Sequence, residues 1–96
     1  MDSFTRLLWW LLSSSAGARK RTDILKALRE RPRNALQLAI ALSVDYTTVR
    51  HHLRVLERNH LIESTGDHYG QVYTVSSLLE SRWAEYERIA SRQQVR

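Results

Sequence analysis

The sequence predicts a mainly α fold of the α+β kind: a succession of helices broken once by a short two-stranded β-hairpin. Three observations predict it. Apolar residues recur at helical spacing, most clearly Val49, Leu53 and Leu56 at i, i+4 and i+7. Residues that favour strands concentrate in one place, residues 71–75, with Gly66 and Gly70 just before them. Two helix-start signals stand eleven residues apart at Asn34 and Asp45. Ninety-six residues is one domain's worth of chain and supports one modest core.

In order, residues 2 to about 13 read as a helix capped by Asp2 or Ser3. Phe4, Leu7, Leu8, Leu11 and Leu12 make one face, and Trp9 and Trp10 flank it. A helix apolar nearly all round is expected to want a partner. Ser13 to Ser15 and Gly17 make the clearest linker. Residues 18–31 predict a second helix, with Ile24, Leu25 and Leu28 inward. Arg19, Lys20, Lys26, Arg29 and Arg31 point outward, and Pro32 ends the helix.

Asn34 with Gln37 forms a capping-box pattern for a helix over 35–42 that buries Leu38, Ala39 and Leu42. Ser43 and Val44 make a tight turn. Asp45 then caps a helix running to Asn59 or His60. Two short helices so joined, with the small Ala39 at their crossing, are a helix-turn-helix. The second helix has an apolar back. Its front carries Tyr46, Thr47, Arg50, His51 and Arg54, which hydrogen-bond, stack or pair with phosphate. Residues 61–64 and 71–75 then predict a hairpin with His68 and Tyr69 at its tip, which is a wing. Ser76 or Ser77 caps a last helix to about Arg92, with Leu79, Trp83, Tyr86 and Ala90 as a seam. The predicted architecture is a winged helix-turn-helix with extra N- and C-terminal helices.

The net charge is +5, with 13 Arg and 2 Lys. Residues 19–58 hold ten basic and four acidic groups, net +6, and the remaining residues sum to −1. This is the footprint expected for a polyanion partner. Without cysteine there is no disulfide, thiolate metal site or cysteine nucleophile, which fits a cytoplasmic setting. No segment reaches the ~20 apolar residues of a membrane span. The run from Leu7 to Leu12 before Ala16 and Ala18 resembles a signal-peptide core but is too short, and Asp2 offsets Arg6. No nucleophile elbow, phosphate loop or carboxylate pair marks an enzyme. The four histidines lack metal-ligand spacing, so no cofactor and no metal are expected.

The stretch from Asp45 to Ile62, DYTTVRHHLRVLERNHLI, followed by YGQVY at 69–73, resembles the ArsR-type winged helix-turn-helix transcription regulators, and archaeal members most. The shared features are the early Thr-Val pair, the His-His-Leu-x-x-Leu core, the apolar pair opening the hairpin and the Gly-containing wing ending in Tyr. The resemblance covers about residues 19–76. It implies the fold and double-stranded DNA binding. It does not imply metal sensing: the family's thiolate motif has no counterpart, and residues 77–96 contain no histidine. Ser43 also departs, standing where such turns usually carry Gly.

The expected function is sequence-specific DNA binding by a homodimeric regulator. Tyr46, Thr47, Thr48, Arg50, His51 and Arg54 are the candidate DNA contacts, with His68 and Tyr69 on the wing. Arg50, one turn into the helix, is the base-reading candidate. His52 is expected to be partly buried and hydrogen-bonded. Residues 1–15 are assigned to dimerisation or partner contact and 16–96 to the DNA-binding domain. Phe4, Leu8, Leu11, Leu79, Trp83 and Tyr86 are the expected dimer interface. The alternative is a protein-interaction or membrane-peripheral module that keeps the fold without reading DNA.

Overall fold

The computed structural model describes residues 2–67 and 70–91. Helix α1 spans Ser3–Trp9 and continues into a π-helical segment, Trp10–Ser14. Then come α2 (Ala18–Glu30), α3 (Ala35–Leu42), α4 (Tyr46–Arg58), β1 (Ile62–Thr65), β2 (Val72–Val75), α5 (Ser77–Ser81) and α6 (Trp83–Ser91). No helix among the described residues is long and apolar enough to cross a membrane.

Local chemistry sets the boundaries. Asp2 caps α1 by accepting from the Thr5 amide. At α3 the capping box is complete: Asn34 Oδ1 accepts from the Gln37 amide, and Gln37 Oε1 accepts from the Asn34 amide, each at 2.8 Å. The Asp45 carboxylate accepts from the Thr47 and Thr48 amides at 3.0 and 3.2 Å. Ser76 Oγ accepts from the Leu79 amide at the start of α5. Between α3 and α4, Ser43 has φ 54° and ψ 45°, the left-handed region. A non-glycine residue there costs on the order of 1 kcal/mol.

The helix-turn-helix pair α3 and α4 packs on α2, with Ile24, Leu25, Leu28, Leu38, Val49, Leu53 and Leu56 buried between them. The hairpin is antiparallel, with Ile62 opposite Val75 and Ser64 opposite Tyr73. A third extended piece joins it. Arg33 and Tyr73 exchange both backbone hydrogen bonds, at 3.2 and 2.9 Å. The link between α2 and α3 therefore pairs with the wing, a feature with no pattern in the sequence because one residue makes it.

The terminal helices differ from expectation in three ways. A regular helix was expected to about residue 13, but the last turn is π-helical, closed by the Ser15 amide on the Trp10 carbonyl at 3.0 Å. The wider turn takes an extra residue, and Leu8, Leu11 and Leu12 all face the core. The last helix is broken at Arg82, whose φ of −123° leaves the helical region, yet Leu79, Trp83, Tyr86 and Ala90 are all buried. Third, the two ends pair within one chain. Arg82 Nη2 contacts Asp2 at 2.9 Å and Thr5 Oγ1 at 3.1 Å, its Nε donates to Glu85, and its guanidinium lies over the Phe4 ring. Thr5 donates to Glu85. The first helix is therefore packed against the last helix of its own chain.

That arrangement places the residues of the expected dimer interface against one another within one chain. Leu8, Leu79 and Tyr86 are wholly buried, Leu11 and Trp83 nearly so, and Phe4 is half-buried under Arg82. Tyr86 Oη donates to the Thr22 carbonyl, and Arg29 stacks on Trp83. Burial pushes the Tyr86 phenol up, out of the ordinary range. Apart from Phe4, which packs against it, these residues belong to the protomer's core; among the apolar side chains of the terminal helices, Trp10 is 60% exposed and Leu78 44%.

Candidate nucleic-acid interface

Helix α4 divides along its length. Val49, His52, Leu53 and Leu56 are buried, whereas Tyr46, Thr47, His51, Arg54 and Arg58 are exposed and Thr48 and Arg50 are half-buried. A 3.6-residue period does this once the core captures the apolar stripe. The Asp45 cap takes two amides at the N-terminus, leaving the first-turn side chains Tyr46 and Thr47 facing solvent.

The helix front does not stand alone. A cleft of about 350 Å³ opens between the start of α3, the first turns of α4 and the wing; it is lined by Asn34, Leu36, Tyr46, Arg50, Gln71 and Tyr73 among others. Arg50 lies in its wall and donates from Nη1 to Tyr73 Oη at 3.3 Å. Arg50, the base-reading candidate, is thus held by the wing, a contact that the sequence does not announce. Leu36 and Ile40, 57% and 71% exposed, extend the front onto α3. The sequence reading left both out, although they fall off the Leu38–Leu42 face. His68 and Tyr69 lie outside the described residues.

The basic surface is smaller than the charge count suggests. Arg19, Lys20, Lys26, Arg29, Arg31, Arg54 and Arg58 are exposed, but Arg21 is 4% exposed. Its guanidinium is a hub: Nε donates to the Leu11 carbonyl at 2.8 Å, and Nη2 donates to the Ala16 carbonyl at 3.1 Å and to Ser15 Oγ. Nη1 meets His52 Nδ1 at 3.4 Å. The cation closes the orphaned carbonyl end of the first helix, where a helix favours positive charge. Burial lowers its affinity for a proton, although guanidinium stays charged.

His52 is the other half of the hub. It is 5% exposed, and burial first, then the adjacent Arg21 charge, lower its pKa to about 4. At neutral pH it is an uncharged acceptor for Arg21, as a hydrogen-bonded internal histidine. Gly17 makes the close approach possible. Its φ is +83°, and a Cβ there would lie 2.6 Å from His52 Cε1. The hub ties the N-terminal segment to the back of α4 across residues far apart in sequence, so no local motif announces it. Among the described residues no group of three or more His, Cys, Asp or Glu side chains is placed to hold a metal ion.

A helix with a buried apolar back and a polar, basic front, followed by a hairpin braced against it, defines a winged helix-turn-helix protein. Residues 19–64 match the family model described as the bacterial regulatory protein arsR family. Over that stretch the resemblance read from the sequence is shown: residues 19–64 are similar to the ArsR family, within a fold that is a winged helix-turn-helix. Among similar solved structures is the homodimeric winged helix-turn-helix DNA-binding domain of a possible ArsR-family transcriptional regulator from Mycobacterium bovis. It is 22% identical with a TM-score of 0.65, over 83% of this chain and 73% of that one. The transcriptional regulator HlyU from Vibrio vulnificus is 20% identical with a TM-score of 0.68, over 93% and 88% of the two chains. These likenesses establish the fold. The family description and these neighbours are bacterial, and the archaeal likeness finds no support in them. No curated protein sequence matches.

Proposed function

We propose that this protein is a sequence-specific, double-stranded DNA-binding transcription regulator that acts as a homodimer in the cytoplasm. The observation that carries the reading is the exposed front of α4. Tyr46, Thr47, His51 and Arg54 project together, with Thr48 and Arg50 beside them, and the wing stands along one flank. In such docking the first turns of the second helix enter the major groove and reach base edges. Arg50 is the base reader, Tyr46, Thr47 and Thr48 contact bases or phosphates from the first turn, and Arg54 meets phosphate. His68 and Tyr69 are assigned to the wing's own contact with the duplex.

The homodimer is supported by the M. bovis domain of similar fold, which is homodimeric. The terminal helices remain the proposed contact, with Trp10 exposed and Phe4 half-buried on the first of them. Two copies place two recognition helices on successive turns, so the operator is expected to be near-palindromic with half-sites about 10 bp or a multiple apart.

The test is selection of bound fragments from a random duplex library at ~150 mM salt, near physiological ionic strength. Enrichment of a two-fold-symmetric motif is the expected result. Binding that falls steeply with salt yet enriches nothing would mean that the basic face holds phosphates without reading bases. The domain would then be an architectural or interaction module.

A further inference from the structure

The contact between Arg50 and Tyr73 is the first link of a longer chain. Tyr73 Oη donates to Gln71 Oε1 at 3.2 Å. Gln71 Nε2 donates to Ser64 Oγ at 3.0 Å, and Ser64 Oγ donates to Glu57 Oε2 at 2.7 Å. Every link runs in the same donor sense, from a guanidinium to a carboxylate. Both ends sit on α4, seven residues and about two turns apart, on one face. The middle of the chain is the wing, where Ser64 and Tyr73 are cross-strand partners.

Direction matters in such a chain. A tyrosine hydroxyl that accepts from Arg50 has its own proton free for Gln71, and the amide then turns its nitrogen to Ser64. Aligned bonds of this kind polarise one another. The Tyr73 hydroxyl does not depend on Arg50 for its place. Its residue is 3% exposed and held on both backbone groups by Arg33.

We propose that Tyr73 is the positioning residue that aims Arg50 at a base edge, so that the wing sets specificity through the recognition helix as well as by its own contacts. This rests on the reading of Arg50 as the base reader. Tyr73 takes one of the five guanidinium N–H groups. The edge formed by Nε and Nη2 has no partner within the described residues and is free to fork onto guanine O6 and N7. An untethered arginine loses side-chain freedom on engaging a base; one held from behind has already lost it.

The experiment is fragment selection and competition binding on the full chain with Tyr73→Phe, Arg50→Ala, the double variant and Gln71→Ala, with thermal melting alongside. Arg50→Ala is expected to lose preference at one base pair by roughly 5- to 150-fold. Tyr73→Phe is expected to lose about tenfold at that same base pair, an intermediate value on that scale, with other positions and the salt slope unchanged. The double variant is expected to be no worse there than Arg50→Ala. Gln71→Ala, made at a half-buried site on the wing, is expected to give a smaller loss at the same base pair. If Tyr73→Phe and Gln71→Ala keep full preference while Arg50→Ala loses it, the positioning role is overturned and the reading of Arg50 stands. An even loss across all sequences in Tyr73→Phe also overturns it, because a merely structural tyrosine behaves that way. If Arg50→Ala changes no position, or the unmodified protein enriches no motif, the base-reading assignment fails and the proposal falls with it.

Discussion

Replacing Gly17 by alanine tests the junction between the N-terminal segment and the recognition helix. At φ +83° an alanine sits in the left-handed region, costing roughly 1–2 kcal/mol. The new Cβ would lie 2.6 Å from His52 Cε1 and 3.0 Å from Arg21 Nη1. Both groups are buried and hydrogen-bonded to each other, so neither swings aside freely. Overpacking of this kind adds roughly 1–3 kcal/mol, and alanine's lower unfolded-state entropy returns about 0.5 kcal/mol. The net loss is about 2–4 kcal/mol. For 96 residues the entropy of unfolding is on the order of 0.2 kcal/mol per degree, so the midpoint falls by about 10–20 °C. Circular dichroism melts at one fixed protein concentration measure it, because a dimer's midpoint depends on concentration. His52→Ala in the same background removes the steric part and leaves the backbone strain. Gly17→Ala is therefore expected to cost less there, by about 1–3 kcal/mol. A loss under about 1 kcal/mol for the single variant, or additivity within about 0.5 kcal/mol in the cycle, would refute the geometry.

Two further outcomes follow from single groups. Ser43→Gly relieves the left-handed turn between α3 and α4 and is expected to raise stability by about 0.5 kcal/mol after the added freedom of the unfolded chain; a shift of the urea midpoint to lower concentration would count against it. His52 is held neutral with a pKa of about 4 against 6.5 unfolded, so between those values the unfolded chain binds more protons. Stability is then full above about pH 6.5 and declines as the pH falls towards 4. The Asp2 carboxylate, lowered to about 2 chiefly by the Thr5 amide, gives a contribution that is full above its ordinary 3.8 and is lost only below it, outside that window. His52→Gln is expected to flatten the slope between pH 6.5 and 4 in denaturant titrations, and an unchanged slope would show that another group carries it.

What the sequence by itself determined is local. Asn34 with Gln37, Asp45 and Ser76 start their helices where the side-chain chemistry says, because a cap bonds amides only two or three residues away. The Val49–Leu53–Leu56 stripe chose the buried face of α4, and so the exposed set at Tyr46, Thr47, His51 and Arg54, because helical periodicity needs no distant information. The hairpin followed from β-forming residues beside two glycines, and its family was legible because the resemblance lies in contiguous residues.

Tertiary structure decided whatever depends on which surfaces meet. The first helix reads as apolar nearly all round, and α6 and α2 of the same chain bury Leu8, Leu11 and Leu12 while leaving Trp10 exposed. Hydrophobicity says that a face must be buried but not against what. Arg21 reads as one more surface charge, and only the carbonyl end of the first helix and the ring of His52 make it an internal cation. Arg50 reads as a base-reading arginine, and only the fold shows that Tyr73, 23 residues on, accepts a hydrogen bond from it. Polar contacts across the fold rest on distance and direction between groups that no periodicity in the chain encodes, and those contacts couple the wing and the N-terminal segment to the recognition helix.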